Sequence, residues 1–273
     1  MTGKGPHGFD FGRAASLLTD AAARAGAVIM QHYGAAEVEF KDDKSPVTCA
    51  DRDSEAIILA ALARLAPGVK VVSEETFKVA PSSLPDRFFL VDPLDGTKEF
   101  IQKRSDFTVN IALVEAGRPR FGLVYAPARA LLALTSEAGK AVEAELSPDS
   151  AGAELGRLRE KPLHARIAGE AGLTALVSHS HLDAETEAFL AKLKIAGRSS
   201  AGSSIKFLAI ARGEADVYPR FGPTMEWDTA AGQAVLEAAG GSVVGVDGQR
   251  LGYGKVGQGL RNPSFIAWGR TGP

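Results

Sequence analysis

Cysteine is nearly absent: the 273-residue chain holds one, Cys49. No intrachain disulfide can form, and a reducing compartment such as the cytoplasm is expected. No run of about 18 apolar residues is present, so no membrane-spanning helix is expected; association with the inner face of a membrane is left open. Met1 to Asp10 is polar and Gly-rich, without the apolar core of a signal peptide. Charge of one sign is not in excess: 31 basic residues stand against 33 acidic ones, for a net charge of −2. A polybasic binder of long nucleic acid is therefore not expected, because phosphate neutralisation needs surplus Lys and Arg. Nor is there a Cys/His cluster with zinc-ligand spacing. What is there is ordinary globular material: 45% hydrophobic and 23% charged residues, which excludes a disordered chain and permits a substantial core.

Apolar residues from Phe11 to Tyr33 recur at helical spacing, with Asp10 as N-cap and Gly34 as stop. A second helix is predicted over Asp51–Leu65. Strands are predicted over Val69–Val72, Arg87–Val91, Phe107–Val114, Arg120–Tyr125 and Leu131–Thr135, the last three joined by short turns that favour antiparallel pairing. Ser147–Gly156 has linker composition. Beyond it strands and helices alternate: Leu176-Val177, helix Asp183–Lys194, helix Ser203–Arg212, strand Ala215–Tyr218, helix Asp228–Ala239 and strand Ser242–Val246. The fold class is α/β, with an α+β half over residues 10–146 and an α/β half over 160–270.

The informative residues are acids at strand ends. Asp92-Pro93-Leu94-Asp95-Gly96-Thr97 follows an apolar strand. Pro93 is expected to end that strand, since it lacks an N–H, and Gly96 to permit a tight bend. Two carboxylates in one turn repel unless a positive charge neutralises them. Hard divalent cations do so through oxygen ligands, to which a backbone carbonyl such as that of Leu94 can be added. The acids are three residues apart with Pro93 between them, unlike the Asp-x-Asp motif of aspartyl-nucleophile phosphatases; metal ligation is expected, not a phosphoaspartate. Glu74 lies at the exit of the preceding strand, and Asp51 and Asp228 lie at helix starts. Taken singly, each has a plain alternative: a solvated turn for Glu74, an N-cap for the two aspartates. Cys49 is expected to be a small buried residue.

The four segments together resemble the inositol monophosphatase superfamily. Asp92-Pro93-Leu94-Asp95-Gly96-Thr97 and Trp227-Asp228-Thr229-Ala230-Ala231-Gly232 are similar to its two signatures. Ser73-Glu74-Glu75 and Thr48-Cys49-Ala50-Asp51 fall where the family has its glutamate and its activating aspartate. Order and spacing agree from about Phe11 to Phe265. Within the superfamily, Lys98-Glu99-Phe100, Phe107–Ala112, Gly202–Phe207 and Tyr218–Thr224 resemble the 3′(2′),5′-bisphosphate nucleotidases; inositol monophosphatases usually carry Thr-Asn at Lys98-Glu99.

That resemblance implies a five-layer α/β/α/β/α sandwich and hydrolysis of adenosine 3′,5′-bisphosphate to AMP and phosphate. It extends to the sulfated relative of that nucleotide, and implies Mg²⁺ dependence and sensitivity to lithium. It implies that Glu74, Asp92 and the Leu94 carbonyl hold one Mg²⁺, that Asp92, Asp95 and Asp228 hold a second, and that Glu74 contributes to a weaker third. Thr97 and Asp51 become the hydroxyl–carboxylate pair that activates the attacking water, with Glu74 beside them. Substrate contacts fall to Gly96, Thr97, His181, Ser203, Lys206, Arg220 and Asp228, with His179 an alternative to His181. Arg220 suits a second phosphate, and the helix start at Ser203 and Lys206 suits phosphate too.

Three other readings stay open at this stage. An inositol-phosphate or sugar-bisphosphate phosphatase would share the metal site. A phosphate-ligand sensor would be expected to lose Thr97, Asp51 or a metal acid, and this chain keeps them. A scaffold would need no acidic cluster. Whether the chain is a monomer or a homodimer is also open. Five acids at one point would repel an anion, so the site is expected to bind its substrate only together with cations.

Overall fold

Asp10 opens α1 (Phe11–His32) by accepting the Arg13 N–H at 2.9 Å, and Gly34 follows the helix at φ +87°. The computed structural model describes residues 8–34, 38–40, 46–150, 158–178 and 183–270. Two short strands, β1 (Val38–Phe40) and β2 (Pro46–Thr48), pair antiparallel and lead into α2 (Cys49–Leu65). α2 starts two residues earlier than the hydrophobic pattern predicts, because Thr48 rather than Asp51 is its N-cap. Cys49 is exposed at the first helical position, which corrects the expectation that it is buried.

A seven-stranded sheet follows, in chain order across its width: β3 (Lys70–Ser73), β4 (Arg87–Asp95), β5 (Thr108–Glu115), β6 (Arg118–Ala126), β7 (Leu131–Glu137), β8 (Lys140–Glu145) and β9 (Lys161–Pro162). β3 runs parallel to β4, and the other neighbours are antiparallel. The helical turn α3 (Thr97–Ile101) sits between β4 and β5. The second half supplies β10 (Leu173–Ser178), α4 (Ala184–Leu190), β11 (Ile195–Ala201), α5 (Ile205–Ala211), β12 (Val217–Arg220), α6 (Glu226–Ala238), β13 (Ser242–Gly245) and β14 (Phe265–Trp268). Its sheet has the order β11-β10-β12-β14-β13.

Alternation along the strands produces the layering, because successive side chains point to opposite faces. Phe89 and Val91 pack with Leu18 and Ile29 of α1 and Ile58 and Leu62 of α2. Their neighbours Phe88 and Leu90 pack on the other face with Phe207 of α5 and Val235 and Leu236 of α6. Tyr218 and Phe265 of the second sheet join that same core, while Val217, Ile266 and Trp268 face Leu190 of α4. Five layers result: α1/α2, sheet, α5/α6, sheet, α4. The central layer approaches the large sheet very closely at Gly122, where a Cβ would lie 2.3 Å from the Ala231 carbonyl oxygen.

Two further predicted boundaries move. Pro93 does not end its strand: β4 runs on to Asp95. The ladder is irregular there instead, with Asp92 opposite Asn110 and Asp95 opposite Thr108, so the stretch carrying Pro93 and Leu94 is a bulge. A bulge accommodates the missing N–H that a regular ladder would not. The helix predicted over Asp183–Lys194 stops at Leu190, and Ile195–Ala201 is a strand. β11 lies at the sheet edge and is mostly exposed, so it lacks the apolar run that marks a buried strand. Of the predicted linker, residues 147–150 form a turn, and 151–156 lie outside the described residues.

Candidate active site

The bulge in β4 sets the geometry. Asp92 is 1% exposed, its Oδ1 accepting the Leu94 N–H at 3.1 Å. Asp95 ends the strand, and Gly96 turns the chain at φ +92° into α3. A Cβ at Gly96 would lie 2.9 Å from the Asp106 carbonyl oxygen, so both the turn and the contact require glycine there. Glu74 follows β3, its N–H bonded to the Val91 carbonyl at 3.1 Å, which ties it to the strand that carries Asp92.

Asp51 and Asp228 use the same device from two helices. Each is the third residue of its helix and accepts the backbone N–H of the N-cap: Thr48 N–H to Asp51 Oδ2 at 2.8 Å, Met225 N–H to Asp228 Oδ2 at 2.8 Å. Both therefore brace a helix start as the capping-box acid, not as the N-cap. For Asp51 the Thr48 hydroxyl adds a second bond to Oδ2 at 2.7 Å. Its Oδ1 accepts the Thr97 hydroxyl at 3.4 Å, and that hydroxyl also lies 3.3 Å from the Leu94 carbonyl oxygen. The predicted hydroxyl–carboxylate pair is thus adjacent in space.

Glu74, Asp95, Gly96, Thr97, Ser203, Lys206, Arg220 and Asp228 line one cavity of about 280 Å³. Burial, then repulsion by Glu74, Asp95 and Asp228, drives the Asp92 carboxyl well above the usual carboxylate range. Burial, then repulsion by Asp95 and Glu74, does the same to Asp228. Among the described residues no three Asp, Glu, His or Cys side chains are closed tightly enough to grip an ion as they stand. Mutual repulsion opposes drawing such acids together without positive charge. The donor set fits a hard cation: four carboxylates and the Leu94 carbonyl, all oxygen.

The cationic residues are held differently. Lys206 is buried in the first turn of α5, and its ammonium donates to the Ser203 carbonyl at 2.8 Å and the Ala201 carbonyl at 3.2 Å. It also lies 5.0 Å from the Tyr218 ring centroid. Burial pulls it down to about 8, against the opposing pull of Asp95. Arg220 ends β12; its Nη2 donates to the Pro223 carbonyl at 3.2 Å, and its buried Nε has no hydrogen-bond partner among the described residues. Ser203 adopts φ +51°, and its hydroxyl is bonded to Asp95 and Thr108. His179 and His181 lie outside the described residues.

Sequence reasoning passed over several residues. Asn110, Thr108 and Ser204 surround Asp95, and Asp106 accepts the Gly202 N–H at 2.8 Å and pairs with Arg129. Asn262 holds the start of α6 by donating to the Met225 carbonyl at 2.7 Å and the Thr229 hydroxyl at 2.9 Å. The signal for Asn110 and Thr108 is two polar side chains in a strand that is otherwise apolar up to Glu115, on the alternation that pairs with Asp92 and Asp95.

Residues 13–267 match the model of the inositol monophosphatase family, and the chain belongs to that family, one of metal-dependent enzymes. The 3′(2′),5′-bisphosphate nucleotidase CysQ of Salmonella typhimurium is 42% identical over 250 residues, covering 89% of this chain and 95% of that protein. The crystal structure of CysQ from Bacteroides thetaiotaomicron superposes with a TM-score of 0.78 at 36% identity, over 95% of this chain and 98% of that one. An inositol monophosphatase from Anabaena superposes with a TM-score of 0.68 at 25% identity, over 93% and 90% of the two chains. The five-layer fold is the family's fold. No helix of the described residues is long and apolar enough to cross a membrane.

Proposed function

We propose that the chain is a Mg²⁺-dependent phosphatase that hydrolyses adenosine 3′,5′-bisphosphate to AMP and phosphate, and cleaves the sulfated relative in the same way. One observation carries this choice within the family: the cavity that holds the acids is also lined by Lys206 and Arg220. An inositol monophosphate has one phosphate, which the cation site itself would engage. A bisphosphate has a second, and the Arg220 guanidinium, whose Nε has no partner among the described residues, supplies charge-assisted donors for it together with the buried Lys206 ammonium. The similarity to CysQ proteins over nearly the whole chain supports the same choice.

Glu74, Asp92, Asp95, Asp228 and the Leu94 carbonyl would hold two or three Mg²⁺. When bound, these supply positive charge to the phosphoryl oxygens and to the oxygens entering and leaving in line. Thr97 Oγ1 takes a proton from the attacking water while its own passes to Asp51 Oδ1, which faces it at 3.4 Å. Asp51 is held ready for this because Thr48 occupies its other oxygen. The water oxygen bonds to phosphorus, the bond to the 3′-oxygen breaks, and that oxygen takes a proton from solvent water to leave as a hydroxyl of AMP, while the proton on Asp51 returns to solvent. Gly96 and Thr97 line the phosphate position, and His181 is assigned to the nucleotide. Residues 10–146 supply most of the metal ligands and 160–270 the remaining contacts, as one catalytic unit in the cytoplasm.

The test is kcat/KM for adenosine 3′,5′-bisphosphate against inositol 1-phosphate, with and without Li⁺. The bisphosphate is expected to be favoured by about 10- to 100-fold, the worth of one or two charge-assisted bonds, and Li⁺ to inhibit. A preference for inositol phosphate would overturn the assignment, and no phosphate release from either with Mg²⁺ would favour a sensor.

The raised carboxyls of Asp92 and Asp228 set a pH dependence. A carboxyl raised on folding contributes stability below its unfolded pKa, about 4, and that contribution is lost as pH rises through the folded value. Mg²⁺ relieves the same repulsion. It should therefore raise Tm by more at about pH 8 than at about pH 5.5 in a thermal melt series. Equal shifts at both pH values would count against these acids as the Mg²⁺ ligands.

A further inference from the structure

β5 carries a polar pair that packing does not explain. Its eight residues are all buried, and Thr108 and Asn110 are 0% and 1% exposed in a strand otherwise built of apolar side chains up to Glu115. Buried amides and hydroxyls are costly unless fully bonded. Here the bonds form a chain. Asn110 donates from Nδ2 to Asp95 Oδ2 at 3.3 Å and to Ser204 Oγ at 3.0 Å, and accepts from the Thr108 hydroxyl at 3.1 Å. Ser204, 1% exposed, donates its hydroxyl to the Asp228 carbonyl at 2.8 Å and its N–H to Asp95 Oδ2 at 2.8 Å. One oxygen of Asp95 thus takes up donors from Asn110 and Ser204, and from Ser203, which turns the other oxygen free of that network. The same two residues tie Asp95, on the large sheet, to the backbone of Asp228, on α6.

We propose that Asn110 and Ser204 are positioning residues for the cation site: a buried strut that sets the orientation of Asp95 and its spacing from Asp228. The proposal rests on those two acids being metal ligands, as proposed above. The loop that carries Ser204 is itself anchored from the large sheet's side. Asp106 accepts the Gly202 N–H, and a Cβ at Gly202 would lie 2.9 Å from both the Asp106 carbonyl oxygen and Glu99 Cγ, so the loop is seated directly on that wall. Outer-shell partners of this kind commonly change metal affinity by 10- to 100-fold.

The measurement is Mg²⁺ binding to the whole protein by calorimetry, without substrate, for wild type, Asn110→Ala, Ser204→Ala and the double variant. Ser204→Ala keeps the N–H bond to Asp95, so it remains informative if Asn110→Ala fails to fold. Each single variant is expected to weaken Mg²⁺ binding about 10-fold, and the double variant by less than the product, because the two act in series. At saturating Mg²⁺ the KM for the bisphosphate should stay within about twofold of wild type. Thr135→Val, another buried hydroxyl on the same sheet, serves as the control for simple destabilisation and should leave Mg²⁺ affinity unchanged. Folded variants with wild-type Mg²⁺ affinity, or with a raised KM and unchanged affinity, would overturn the proposal. A wild-type chain that binds Mg²⁺ but releases no phosphate would remove the nucleotidase assignment and leave the strut standing; one that binds no Mg²⁺ removes both.

Discussion

Asp95→Asn is expected to lower kcat by more than about 100-fold at saturating Mg²⁺, beyond the loss typical of an outer-shell change. The replacement keeps the size and shape of the side chain, so the fold should remain. Asp95 Oδ2 accepts the Ser204 N–H at 2.8 Å and the Asn110 amide at 3.3 Å. The asparagine carbonyl can take over these bonds only by turning its NH₂ toward the position where the cation would lie. The reverse orientation sets donor against donor. Stability should move the opposite way from activity. Asp95 raises the carboxyls of Asp92 and Asp228 by repulsion, so removing its charge should raise the Tm of the Mg²⁺-free protein near neutral pH. A variant with nearly unchanged kcat would remove Asp95 from the cation site.

Lys206→Ala is expected to raise the KM for adenosine 3′,5′-bisphosphate by about 10- to 30-fold, the worth of one charge-assisted hydrogen bond. The KM for inositol 1-phosphate should change little. Equal losses on both substrates would mean that Lys206 only supports its loop through the Ala201 and Ser203 carbonyls. A pH profile separates the two roles further. Burial pulls the ammonium down to about 8, so its charge fades as pH rises past that value, and the bisphosphate KM should rise with it. Lys206→Arg should flatten that rise, because a guanidinium stays charged throughout.

The four aspartates of the site differ in how far the sequence revealed them. Asp92, Asp95 and Gly96 stand within five residues of one another in an apolar context, so repulsion and turn chemistry expose them directly. Asp51 and Asp228 show only as acids near helix starts, where capping is the ordinary explanation. The structure shows that capping is part of the truth: each braces its helix with one oxygen, while Asp51 turns the other to Thr97. Pro93 misled in the other direction. A proline at a strand's end suggests termination, yet the chain bulges at that point and carries the strand on to Asp95, which lines the cavity. β11 was missed because an exposed edge strand has no hydrophobic run to mark it.

By itself the sequence determined that this is a folded chain without disulfide support, with helices and strands in a particular order and acids at four strand or helix ends. Those properties follow from local chemistry: side-chain periodicity, turn residues and the cost of neighbouring like charges. Only the tertiary structure decided which partners the oxygens of Asp51, Asp92, Asp95 and Asp228 take, and that Asn110 and Ser204 join two of the acids. It also decided that Lys206 bends back onto its own loop while Arg220 keeps a buried nitrogen without a partner among the described residues. The physical reason is distance along the chain. Asn110 and Ser204 are 94 residues apart, and Asp95 and Ser204 are 109 apart. Bonds across such separations are set by how the sheets and helices pack, and no local pattern of residues carries them.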